Sequence, residues 1–157
     1  MSSLSELRDR ARRLADAEGN NFFSDAEIND YINTGLGELH DILVLKFEDY
    51  YVNSVSFSLV SGTSNYSFAT IGLNDFYKVL GVDITQGNES VRVPRYSFIE
   101  RNAFKFRAAA YSNRGIELYR YNINSKDIVF IPQPTSTETI KVWYGPSFTK
   151  LTLDNSE

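Results

Sequence analysis

Near residue 50 the apolar repeat of this chain changes its period. Ile28, Tyr31, Ile32, Gly35, Leu36, Leu39, Ile42 and Leu43 recur at helical spacing, whereas in "SVSFSLV" Val55, Phe57 and Leu59 alternate with Ser54, Ser56 and Ser58. A repeat near 3.6 lays side chains along one stripe of a helix, and a repeat of 2 lays them on one face of a strand. Helices first and strands afterwards argue an α+β fold. The expected layout is an N-terminal helical hairpin, part of a helical bundle, over 1–50. An antiparallel β-sheet or small β-sandwich follows over 51–157, with a short helical insert near 96–106.

The helix starts are written locally. Ser3 and Glu6 have the S-x-x-E spacing of a capping box, in which each side chain satisfies a backbone N–H that the helix leaves orphaned. A first helix is expected over 3–18, with Leu4, Leu7, Ala11 and Leu14 on one stripe, Arg8, Arg10, Arg12 and Arg13 on the other faces, and Gly19 ending it. Ser24 and Glu27 repeat the box. Phe23 and Ile28 flank it as a hydrophobic staple, and Asp25 and Glu27 complement the positive end of the helix dipole. Gly35 lies on the apolar face of this second helix and Gly37 lies off it. Each glycine costs roughly 1 kcal/mol against alanine in a helix interior. Either another element approaches closely there, or the weakness is simply tolerated.

Strands are expected at "SVSFSLV", "YSF", "FYKVLGVDI" and "VRVP", the last ended by Pro94. "YSFIERNAF" reads as a short helix, where Ser97 and Glu100 give the third S-x-x-E. A hairpin follows, "IELYRYN" and "IVFIPQP" about a turn at "INSKD", and "TIKVWYG" is the last strand.

Ten Tyr, eleven Phe and one Trp make 14% of the chain, an excess that suits β-structure and contact surfaces. Without cysteine there is neither a disulfide nor a thiolate metal site. No apolar run approaches the ~20 residues of a membrane span, and "MSSLSELRDRARRL" lacks a signal-peptide core. Assembly in a cytoplasm, away from membranes, is therefore expected. The chemical inventory is thin. His40 is the only histidine and no motif ties a serine to it, so no catalytic residue, cofactor or metal ligand is assigned and the chain reads as a non-enzyme. "GLG" lies inside a helix and does not follow a strand, so it is no dinucleotide fingerprint. The pair Asp25 and Glu27 has a sufficient duty at the helix start. Glu48 and Asp49 read as solvated charges at the helix end.

The net charge of −4 is unevenly spread. Residues 1–50 hold five basic and eleven acidic side chains, while 92–114 hold six basic groups against Glu100 alone. There Arg92, Arg95, Arg101, Lys105, Arg107 and Arg114 are interleaved with Tyr96, Phe98, Phe104, Phe106 and Tyr111. Such a segment suits phosphates and stacked bases, or a protein interface where arginine and aromatic side chains carry the contacts. The overall acidity favours the interface. Acidic 1–50 against basic 92–114 of a neighbouring copy is one way to use the asymmetry; solvated faces are the other.

The whole pattern resembles the head-to-tail adaptor (connector, head-completion) proteins of tailed bacteriophages. The resemblance rests on "LRDRARRL", "FFSDAEINDYINTGLGELHDIL", "YYVNSVSF", "LNDFYKVLGVDI" and "LYRYNINSKDIVFIPQPTSTETIKVWYGPSFTKLT". It implies a virion neck protein without chemistry. Such proteins form a ring, commonly of twelve copies, beneath the portal protein, extend the DNA channel with non-specific DNA contact, and dock tail or nozzle proteins. The family usually continues into C-terminal helices, whereas this sequence stops at "LTLDNSE". Either such a helix is missing or this is a shorter variant, and a neighbouring subunit would then supply the missing face. The residues expected at interfaces are Arg8, Arg12, Gly35, Gly37, Arg95, Arg101, Phe104, Lys105 and Arg107. The competing readings are a nucleic-acid-binding module built on 92–114 and a carbohydrate-binding β-domain that stacks sugars on exposed tyrosines and Trp143.

Overall fold

A computed structural model describes residues 3–19, 22–47, 50–104 and 119–152. The fold is α+β, and its contacts divide it into two units: Met1–Tyr50 with Phe148–Glu157, and Tyr51–Ser147. The second boundary differs from the one expected, because the segment from Phe148 belongs with the helices and not with the strands.

The helical unit holds α1 (Leu4–Leu14) and α2 (Asp25–Lys46). Both capping boxes form. Glu6 N–H donates to Ser3 Oγ and Ser3 N–H to Glu6 Oε2, and Ser24 and Glu27 repeat the exchange. α1 is shorter than the sequence suggests. Asp16 adopts a left-handed φ of 51°, and the Asp16 and Ala17 amides turn back to the Arg13 and Arg12 carbonyls. That closure satisfies the last carbonyls before Gly19 is reached. Of the expected α1 stripe, Leu4 is buried and Leu14 is exposed.

The β unit is a sandwich of two antiparallel sheets. One holds β1 (Asn53–Ser58), β7 (Thr139–Pro146), β3 (Phe76–Gln86) and β4 (Glu89–Arg92), in the order β1-β7-β3-β4. The other holds β2 (Asn65–Ser67), β6 (Asp127–Ile131) and β5 (Arg120–Asn124), in the order β2-β6-β5. Alternation decides which side chains enter the core: Val82, Ile84, Ile140, Val142 and Tyr144 from the larger sheet meet Tyr66, Ile128, Phe130 and Tyr121 from the smaller. Phe57 joins the layers, its ring centroid 5.1 Å from that of Tyr66 and 6.4 Å from that of Phe130. The expected "INSKD" turn is tighter in fact. Asn124 pairs with Asp127, so Ser125 and Lys126 alone make the turn, with Ser125 at φ 56°. The expected helix at 96–106 reduces to one 3-10 turn at Phe98–Glu100, where the Glu100 carboxylate accepts from the Ser97 amide. Residues 105 and 106 lie outside those described.

Candidate functional site

α2 does not bury the face its apolar residues trace. Its buried positions are Asn33, His40 and Val44. The C-terminal segment runs along that side. The Phe148 ring lies 6.0 Å from that of His40, Leu151 meets Asn33, and Lys150 Nζ stands 3.6 Å from Asp30 Oδ1. A Cβ on Gly37 would sit 3.7 Å from Phe148 Cδ1, so the glycine that sequence placed off the apolar face is the one a ring covers. Tyr31 (66% exposed), Leu39, Ile42 (59%) and Leu45 (64%) stand outside, and a Cβ on Gly35 would meet nothing. Beside this face, Ala11, Ala15, Phe23, Ile28, Tyr31 and Ile32 line an apolar groove of about 350 Å³.

Arg8 and Arg12 act within the hairpin. Arg12 Nη2 donates to Asp25 Oδ1 at 2.8 Å and to the Phe23 carbonyl, while Arg8 reaches Asp25 and Asn29. The Arg12 hydrogen bond holds the Asp25 carboxyl below its ordinary range, with the charges of Arg8 and Arg12 adding to the effect. The backbone amide and then the hydroxyl of Ser24 lower Glu27 in the same way.

On the β unit, the turn at 95–101 overhangs the outer face of the smaller sheet. A groove of about 600 Å³ lies there, lined by Asn65, Asn122, Asn124, Phe98 and Arg101. The asparagines of β5 face outward because Tyr121 and Ile123, alternating with them, face the core. Arg101 donates to the Phe98 carbonyl at 2.9 Å and lies 4.3 Å over the Phe98 ring. Arg120 covers the ring of Phe104 at 4.0 Å. Burial raises the hydroxyls of Tyr96 and Tyr121, opposed by Arg101 at Tyr96 and by Arg95 and Arg92 at Tyr121. Lys105 and Arg107 lie outside the described residues, as do Glu48 and Asp49.

Trp143 is tied down on the outer face of its sheet. Its Nε1 donates to Asp83 Oδ2 at 2.7 Å, and Lys141 Nζ stands 3.9 Å over the ring. Among the described residues no group of three or more His, Asp or Glu side chains is placed to hold a metal ion, and no helix is long and apolar enough to cross a membrane. His40 Nδ1 stands 3.7 Å from Asp41 Oδ1, behind Phe148.

Sequence reasoning missed Asn33, Phe148 and Leu151 in the helical unit and the asparagines of the β groove. An amide inside an apolar helical run was the one available sign of the first. No protein-family model matches the chain, and no curated protein gives a significant match to it.

Proposed function

We propose that the chain is a structural virion protein, a head-to-tail adaptor. In this reading copies of it form a ring between the portal and the tail or nozzle, extend the DNA channel and dock the next tail component. The observation that carries the reading is the apolar face of α2. Tyr31, Leu39, Ile42 and Leu45 stand in water while the opposite side of the helix is closed by the chain's own C-terminal segment. Exposed apolar side chains on one helix face mark a contact surface, and repetition of one heterologous contact closes a ring. The sequence resemblance supplies the class of assembly.

Size-exclusion chromatography with light scattering, with and without portal protein, tests it. The native chain is expected to elute as a large closed oligomer, or to become one with the portal. The double variant Leu39→Lys, Ile42→Lys is expected to remain a folded monomer. A native chain that stays monomeric under both conditions sinks the reading.

The groove beneath Phe98 and Arg101 keeps nucleic-acid binding as the second reading, since amides and an arginine converge there. A DNA mobility shift that weakens steeply with salt would favour it. The carbohydrate reading is weaker, because Lys141 already occupies one face of Trp143.

A further inference from the structure

The two sheets treat their edges differently. The outer edge of β5 is covered by the chain itself: the Tyr96 amide donates to the Tyr121 carbonyl at 2.9 Å and the Tyr121 amide to Pro94 at 3.1 Å. Asn122 fills the next position, donating to the Tyr96 carbonyl and accepting from the Ile123 amide at 2.6 Å. β2, at the other edge of that sheet, is only three residues long. Cover and brevity are both devices that stop a sheet from recruiting another chain.

In the larger sheet β4 is short, four residues with Glu89 and Arg92 at its ends, whereas β1 has neither device. β1 is six residues, Asn-Ser-Val-Ser-Phe-Ser, paired with β7 in an unbroken register and free of lysine and proline. No backbone partner from the described residues lies along its outer side, nor along that of β4. The faces of both edges match. Phe57, Ile140, Ile84 and Val91 form one apolar row across the four strands, and Ser58, Thr139, Thr85 and Ser90 form the polar row on the opposite face. The inner row thus ends in a half-buried apolar side chain on each side.

We infer that the open edge of β1 pairs with the open edge of β4 in the next copy of the same chain. This rests on the proposed ring and says which surfaces join it. Strand direction favours the junction. All pairs in the sheet are antiparallel and there are four strands, so β4 runs opposite to β1. A copy repeated in the same orientation therefore meets its neighbour in an antiparallel pair, the commoner arrangement. Two-fold pairing of β1 with β1 would leave both β4 edges open, whereas head-to-tail pairing around a closed ring leaves none. Register is set by the pleat: Val91 must fall on the side of Phe57, because a one-residue slip would turn it outward.

The absence of cysteine makes the test direct. Ser58 and Ser90 are exposed, and directly paired residues on neighbouring strands have Cβ atoms about 5 Å apart. The double variants Ser58→Cys, Ser90→Cys and Ser56→Cys, Ser90→Cys are oxidised mildly and run without reductant, with thermal unfolding as the check on folding. One of the two is expected to give a covalent ladder beyond the dimer, while each single variant stays a monomer on the gel. No ladder from either pair, in a protein that light scattering shows as a ring, overturns the edge pairing and leaves the ring standing. Single variants that link into dimers and go no further overturn it in favour of two-fold contact. A protein that never assembles overturns both.

Discussion

Asn33, in the middle of α2, is clasped to Leu151, 118 residues further along the chain. Its Oδ1 accepts from the Leu151 amide at 2.8 Å and its Nδ2 donates to the Leu151 carbonyl at 3.2 Å, while the same Nδ2 reaches the Asn29 carbonyl at 2.9 Å. Asn33 is buried, so its loss would strand two backbone groups without partners. Asn33→Ala is expected to destabilise the helical unit by about 2 kcal/mol, read by urea unfolding followed through helical circular dichroism. A change under a few tenths would mean the segment does not close α2.

Tyr66 plays a comparable part in the sandwich. Its hydroxyl accepts from the Val60 amide at 2.8 Å and donates to the Thr63 carbonyl at 3.0 Å, holding the turn that leads into β2. Tyr66→Phe keeps the ring contacts with Phe57 and Phe130 and removes only the oxygen. A loss of about 1–2 kcal/mol is expected, measured by guanidinium unfolding followed through near-ultraviolet dichroism.

Acid should loosen the helical hairpin. Asp25 and Glu27 both titrate below their ordinary ranges when folded. Such carboxylates contribute stability at pH values above their unfolded pKa, near 4, and lose it as pH falls through the folded value. Helical dichroism is therefore expected to hold from neutrality down to about pH 4 and to decline below it. The double variant Asp25→Asn, Glu27→Gln should be less stable at neutrality and flatter through that window. Parallel acid curves for the two proteins would show that these charges do not set the acid limb.

Gly35 separates two effects that usually travel together. Nothing lies within 4 Å of a Cβ built there, and its backbone is ordinary helix. Gly35→Ala should therefore stabilise the isolated chain by roughly 1 kcal/mol. If a neighbouring copy packs against this face, the same change should lower the yield of ring on light scattering. Higher stability with unchanged assembly would return Gly35 to a tolerated weakness.

Local signals were legible in the sequence and long-range ones were not. Ser3, Glu6, Ser24 and Glu27 announced both helix starts, because a cap is decided within four residues. The alternation of Val55 and Phe57 with serines announced β1 and its core face. Which side of α2 the chain itself covers was not legible, because apolar residues occupy much of its circumference and spacing alone does not choose among them. That choice was made by Phe148 and Leu151, residues that nothing near α2 foretells. The basic segment was legible as composition, yet its Arg101 lies over Phe98, and its Phe104 is covered by Arg120 of β5. Asn122 and Asn124 carry only the two-residue spacing of any strand face, and Asn65 joins them only when the strands align.

The clasp between Asn33 and Leu151 also orders the making of the protein. A ribosome delivers α2 well before Leu151, with the entire sandwich synthesised in between. Until residues 148–151 emerge, the nascent helices lack the strap that seals their inner side, so a chain stalled before Phe148 would finish its strands yet present an unsealed hairpin. A sealed helical unit would then arrive only after the sandwich has been made.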